Sequence, residues 1–176
     1  LHEKPNVIQF VGGNATAAVQ VAKSGTFTVE VLSSSSQGMQ NIDVLWKLRN
    51  EAGSLINTLE ATTDAVGQAS YVFTAGGSLE RFSLVAEIPT TDIESASQNI
   101  DVIPGDTHHI NITSVDDVQA GGIFSIAFAA FDVNDNANTV DSVTTLMVAA
   151  PSGFTFVGES VEVTQKTVVL VNGEAT

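Results

Sequence analysis

Thr63-Asp-Ala-Val-Gly-Gln-Ala-Ser-Tyr-Val-Phe73 is the stretch on which the reading of this chain turns. It opens with a turn, Thr63 to Gly67, in which Gly67 suits a positive φ. It then alternates, with Ala69, Tyr71 and Phe73 on one face of an extended segment. Upstream stands Gly25-Thr-Phe-Thr-Val-Glu-Val-Leu32, and downstream Arg81-Phe-Ser-Leu-Val-Ala-Glu-Ile88. The first and the turn of this set recur: Gly121-Gly-Ile-Phe-Ser-Ile-Ala-Phe128 is followed by Val171-Asn-Gly-Glu-Ala-Thr176. Phe27 stands 40 residues before Gly67, and Phe124 stands 49 before Gly173, so the copies are in phase with one insertion of about nine residues. The stretch matching Tyr71 to Ile88 does not appear before Thr176.

Period-two patterning extends outward from there. Phe27, Val29 and Val31 oppose Thr26, Thr28 and Glu30. Ile42, Val44, Trp46 and Leu48 oppose Asp43, Lys47 and Arg49, and Phe82, Leu84, Ala86 and Ile88 alternate in the same way. β-branched enrichment with this period predicts half-buried strands. Ser33 to Gly38 reads as a polar loop, and Ala75-Gly-Gly-Ser78 as a short hairpin loop. Pro104-Gly105 punctuates the pattern, and a strand is predicted from Thr107 to Val115. Phe124, Ile126, Phe128 and Ala130 then share a face. An Asp/Asn-rich loop (Asp132 to Asp141), strands near Val143–Ala149 and Val168–Val171, and turns at Pro151-Ser-Gly153 and Asn172-Gly173 follow. No segment carries a long helical period. Short strands at this spacing predict an all-β chain of two β-sandwich modules, 5–103 and 104–176.

Composition narrows the function classes. The chain has 176 residues, a hydrophobic content of 43% and a mean hydropathy of +0.21, as globular material does. Six basic against 20 acidic residues give a net charge of -14, which repels a phosphate backbone and disfavours nucleic-acid binding. There is no cysteine, so disulfides, thiolate chemistry and Cys-type zinc sites are excluded. No run of 18 apolar residues crosses a membrane, and no signal peptide is visible, so an exported form of this chain is expected to be mature or trimmed.

The Phe27–Leu32 segment, the Trp46 segment, Thr63-Asp-Ala-Val-Gly-Gln-Ala69 and Phe82-Ser-Leu-Val-Ala86 resemble bacterial Ig-like domains of the invasin/intimin group. Ala120-Gly-Gly-Ile-Phe124 and Ala130-Phe-Asp-Val-Asn-Asp-Asn136 resemble the broader bacterial Ig-like class, in which a strand ending in Ala-x-Asp precedes an Asn-containing loop. The resemblance implies tandem seven-stranded sandwiches in the stalks of surface adhesins, outside the cell. It implies as partners neighbouring modules of the same polypeptide and a receptor on a host or cell surface; identical subunits are the partners expected if another chain completes the second module. The receptor-binding tip of invasin-type proteins has no match here.

Candidate chemistry is sparse. Asp132, Asn134 and Asn136 stand at i, i+2 and i+4, with Asp135 and Asp141 nearby. Calcium takes six to eight oxygen ligands, which such a loop can help supply. The EF-hand pattern fails, because its glycine position is Ala137 and its bidentate glutamate position is Val143. The other reading is a loop whose Asp and Asn side chains bond their own backbone. Calcium at Asp132, Asn134, Asn136 and Asp141 is therefore the one cofactor expected, if any. Asp116 and Asp117 sit in a second acidic loop, and Asp101 and Asp106 flank the boundary. His108 and His109 are adjacent on a predicted strand and point to opposite faces, and His2 is terminal. No Gly-x-Ser-x-Gly elbow occurs and no histidine is placed beside a nucleophile, so no enzyme is expected. Trp46 is expected in the core, as are Phe154 and Phe156. Sequons stand at Asn14-Ala-Thr16 and Asn111-Ile-Thr113.

The unfinished copy has an energetic consequence. Counterparts of Tyr71, Phe73, Phe82 and Leu84 would contribute on the order of 6–12 kcal/mol, at ~1.5–3 kcal/mol for each large apolar side chain. A small domain is stable by only about 5–15 kcal/mol in all. The second module, lacking its C-terminal strands, is thus expected not to stand alone: either the polypeptide continues past Thr176 or another chain supplies a strand, for which Asn6 to Val11 is a candidate donor. The expected function is a non-catalytic structural or adhesive stalk module of a cell-surface protein. The alternatives are a subunit of an extracellular filament or tube joined by strand complementation, and a carbohydrate- or ligand-binding accessory module.

Overall fold

The structure, a computed structural model, describes residues 4–13, 16–89, 91–117, 119, 121–150, 152–157 and 165–176. Among these residues every regular element is a strand. The chain divides into two compact units, Leu1–Ile103 and Pro104–Thr176.

Unit 1 contains β1 (Pro5–Phe10), β2 (Ala17–Gln20), β3 (Ser24–Ser33), β4 (Asp43–Asn50), β5 (Leu55–Thr62), β6 (Gln68–Thr74), β7 (Arg81–Glu87) and β8 (Gln98–Ile103). One sheet has the order β1-β3-β6 and the other β2-β8-β7-β4-β5. All pairs are antiparallel except β2 with β8, where Ala17 to Gln20 run alongside Ile100 to Ile103. Sequential strands that swap sheets in this order make an Ig-like sandwich. The alternating apolar rows meet between the sheets: Val29, Val31, Val44, Trp46, Leu84, Ala86 and Ile100 have no exposed surface. Trp46 is flanked by Phe10 and Tyr71, at 6.0 and 5.7 Å between ring centres.

Unit 2 contains β9 (His109–Val115), β10 (Ile126–Phe131), β11 (Thr145–Ala149), β12 (Gln165–Val169) and β13 (Glu174–Ala175). Its sheets are β13-β10-β9 and β11-β12. The hydrogen bonds repeat those of unit 1 position by position. Val31 N donates to Gly67 O at 2.8 Å, and Ala130 N to Gly173 O at 2.8 Å. Met39 N donates to Val31 O, as Asn138 N does to Ala130 O. Thr63 N donates to Ile42 O, as Leu170 N does to Thr144 O. β9, β10, β11, β12 and β13 thus correspond to β1, β3, β4, β5 and the start of β6. No described residue of unit 2 takes the places of β7 and β8.

Four expectations are corrected. Ala75–Ser78 is a crossover and not a hairpin, since β6 and β7 lie in different sheets. The repeat is offset by two residues from the expected alignment: Phe128 pairs with Ala175 as Val29 pairs with Ala69, so the partner of Phe27 is Ile126, and Phe124 precedes β10. Because strand side chains alternate, the slip leaves the inward face unchanged. Phe154 is exposed and stacks edge-on against Phe124 instead of joining the core. Asn6 to Val11 is no free donor, because Val7 to Phe10 pair with Leu32 to Val29. Strands β2 and β5 carry no clean amphipathic alternation; β8 does, with Ile100 and Val102 inward against Asn99 and Asp101, and it too lies outside the expected strands. β5 is an edge strand exposed at nearly every residue, and the facing three-stranded sheet meets it at β6, where Asn57 Nδ2 donates to the Tyr71 hydroxyl at 3.3 Å.

Candidate functional site

The polar cluster of unit 2 grows from the strand end at Ala130-Phe131-Asp132. In unit 1 the same place holds Ser33. Both residues are buried, and both donate their amide across the loop, Ser33 N to Gln37 O and Asp132 N to Asn136 O, each at 2.9 Å. Ser36 and Asp135 follow at φ of 61° and 62°. Replacing serine by aspartate puts a carboxylate where a hydroxyl would do, and a buried carboxylate needs donors.

It has them. Asp132 Oδ1 accepts from the amides of Asn134 and Asn136 at 2.8 and 3.0 Å. Its Oδ2 accepts from the Gly105 amide and from Asn136 Nδ2, both at 3.0 Å. Asn138 Nδ2 donates to Gly105 O and Thr107 Oγ1, both at 3.0 Å. The Thr107 hydroxyl donates in turn to Asp141 Oδ2. Asp141 Oδ1 accepts from the amides of Val143 and Thr144 at 3.0 and 2.9 Å. The network ties the segment Gly105–Thr107 to the loop after β10, and closes on the strand turn through Gly173 N, which donates to Asp141 O at 2.6 Å.

The electrostatics follow from these donors. Burial works against ionisation of Asp132. Hydrogen bonds from the Gly105 amide, the Asn136 side chain and the amides of Asn136 and Asn134 outweigh it and lower its pKa from 3.8 to about 2. Asp141 is held well below the usual carboxylate range, foremost by the Thr107 hydroxyl, then by Thr144 and the Val143 amide, against the effect of burial.

Of the expected cation ligands, the structure brings Asp132 and Asn136 side by side, and Asn134 contributes its amide to the same carboxylate. Asp141 stands at the far end of the network, reached through Asn138 and Thr107. No group of three His, Cys, Asp or Glu residues converges as a metal site among the described residues. Both carboxylate oxygens of Asp132 and of Asp141 accept hydrogen bonds within this network. The other acidic residues are dispersed. Asp116 caps Ser125 N at 3.2 Å, and Asp101 holds Arg81 in a two-pronged pair at 2.6 and 3.1 Å. His109 stacks on Phe131 and lies 3.4 Å from Asp135. The composition of the loop signalled the cluster, but Thr107 and Asn138 were missed, since their role depends on a chain reversal invisible in sequence. Asn111 lies exposed on β9, while Asn14 and Pro151 fall outside the described residues. A cleft of 560 Å³ in unit 1 is lined by Asn41, Asp43, Glu60, Thr62 and Thr91 among others, with no aromatic side chain.

No family model and no curated protein matches the chain. Among solved structures it is similar to the Escherichia coli adhesin FdeC, with a TM-score of 0.49 and 13% identity over 94% of this chain and 55% of that one. It is similar to the Yersinia pseudotuberculosis adhesin InvE, with a TM-score of 0.43 and 16% identity over 96% of this chain and 49% of that one. Domains 5–6 of the S-layer protein SbsC give a TM-score of 0.40 and 11% identity over 98% of this chain and 86% of that one. The chain spans about half the length of the two adhesin chains. At these values the fold assignment rests on the strand order and register described above.

Proposed function

We propose that the chain is a structural module of a cell-surface protein, non-catalytic and placed outside the cell, whose work is to hold and space other modules of an adhesive assembly. The observation that carries this reading is the parallel pairing of β2 with β8. The chain enters β2 at one end of that pair and leaves β8 at the other. Once β1 has parted from β3, tension between the ends of unit 1 therefore pulls the two strands along their common axis in opposite directions. Their bonds, including Val21 N to Ile103 O at 3.0 Å, are loaded together in shear. An antiparallel terminal pair would instead open one bond at a time. Such a geometry suits a spacer under load.

Single-molecule pulling on the 176-residue chain tests it. Unit 1 is expected to yield in one cooperative step, at a higher force than unit 2. Val21→Pro, which deletes the amide donated to Ile103, is expected to lower that force. Equal forces for the two units, unmoved by Val21→Pro, would remove the load-bearing role.

A further inference from the structure

We propose that β5 is a self-recognition edge: two copies of this chain join through residues 57–61 of unit 1, strand to strand and antiparallel, with Leu59 of each copy facing Leu59 of the other.

The edge belongs to unit 1 alone. β5 closes the order β2-β8-β7-β4-β5 and pairs only with β4 among the described residues. Edges of this kind are commonly blunted by a proline, a lysine or a bulge. β5 has no proline and no basic residue. Its one register shift lies before Asn57, which leaves Asn57 to Thr62 regular. Leu59 stands opposite Trp46 and so points inward, yet it is 43% exposed. The neighbouring edge, β6, has no such deficit, since Ala69, Tyr71 and Phe73 are already buried. A strand added at β5 covers Leu59, whereas one added at β6 gains nothing for its inner row.

Symmetry and charge fix the register. Two like edges joined antiparallel are related by a two-fold axis normal to the sheet, so one residue faces its own copy. Centring on Glu60 opposes two carboxylates. Centring nearer the start of β5 brings the shifted residue Ile56 into the pairing, and centring on Ala61 leaves only Glu60 to Thr62 in register. Centring on Leu59 sets Asn57 against Ala61 and Thr58 against Glu60. On the outer face Glu60 of one copy then lies beside Thr58 of the other, whose own partner on β4 is Lys47. Two strand spacings, about 10 Å, separate the Glu60 and Lys47 backbones, and the two long side chains meet over the small threonine. The axis makes this pair twice. The net charge of -14 opposes association, but at physiological salt charges farther apart than about 8 Å are largely screened. What counts is the charge near β5, where Lys47 and Arg49 stand on the adjacent strand.

The two-fold reverses the strands, so the β8 ends, where each chain leaves unit 1, point in opposite directions. Copies projecting from facing surfaces meet in this orientation. That consequence rests on the surface placement proposed above. The pairing itself does not, and it stands or falls apart from load-bearing by unit 1.

An edge contact of this length belongs with small, transient interfaces, so protein concentration is the variable to change. The experiment is sedimentation velocity of the intact chain over a concentration series, with amide hydrogen exchange at each step. A monomer–dimer equilibrium in which exchange at residues 57–61 slows as dimer forms is the expected result. Glu60→Lys is expected to weaken the dimer about tenfold or more, because it turns a lysine toward Lys47 of the other copy. Glu30→Lys changes the net charge equally, but it lies on β3 in the other sheet, between Gln9 and Gln68. It is expected to leave the dimer intact or tighten it. A chain that stays monomeric at the highest concentration reached would overturn the proposal. So would protection at β6 or in unit 2 in place of 57–61, or a Glu60→Lys dimer as tight as that of Glu30→Lys.

Discussion

Asp132 and Ser33 hold one structural place with two chemistries. Ser33 caps its own loop, whereas Asp132 also reaches the Gly105 amide. Asp132→Ala would leave the amides of Gly105, Asn134 and Asn136 without their acceptor, a loss of about 1–3 kcal/mol for a buried unsatisfied group. Asp132→Ser, the residue unit 1 uses, is expected to lose less, and urea midpoints of unit 2 compare them. The pKa values carry a sign. Asp132 and Asp141 are both depressed on folding, so the stability they contribute is present above their ordinary value of 3.8. It drains away as pH falls towards about 2, where Asp132 protonates. Unit 2 resonances followed from neutral pH downward should show unfolding in that window, and Asp132→Asn should flatten the loss. Cation binding by Asp132, Asn134, Asn136 and Asp141 is checked by melting in millimolar calcium. Because both Asp132 oxygens already accept from N–H donors, we expect an unchanged melting temperature. A rise of several degrees would place calcium there.

At the scale of elements, the turn before β6 and its copy before β13 set the register of each unit. Gly67 and Gly173 lie at φ of 85° and 80°. A Cβ at Gly67 would stand 2.6 Å from Met39 N, and one at Gly173 would stand 1.8 Å from Asn138 O. Each glycine is therefore needed for conformation and for closeness together. Gly173→Ala is expected to destabilise unit 2 by more than the ~1–3 kcal/mol of backbone strain alone. Gly53 has a similar φ of 79° but open space around it, so Gly53→Asn should be mild. Thermal melts of the two variants against the parent chain make the comparison.

At the scale of the molecule, the two units differ in how much core they own. Nineteen buried apolar residues form the cluster of unit 1, and three form that of unit 2 among the described residues. A single two-state transition is not expected of such a chain. The only Trp and the only Tyr both belong to unit 1, so Trp46 fluorescence reports that unit alone while far-ultraviolet circular dichroism reports both. On heating, the dichroism signal should begin to fall first, with fluorescence following at higher temperature. Coincident curves would mean that the units unfold as one.

The residues by themselves determined the all-β class, the inward faces around Val29, Trp46, Tyr71 and Leu84, and the turn at Gly67. These follow from period two and from backbone sterics, both local. Only the tertiary structure decided that β6 and β7 belong to opposite sheets, that β2 runs parallel to β8, and that the second copy is aligned two residues later. Strands such as β5 and β2 were illegible because neighbours, and not alternation, specify them. The site divided along the same line. The Asp/Asn pattern of the loop was visible, but the donors that define its chemistry, Gly105 and Thr107, lie some thirty residues earlier. Proximity of that kind is created by the packing of sheets, which a linear pattern does not encode.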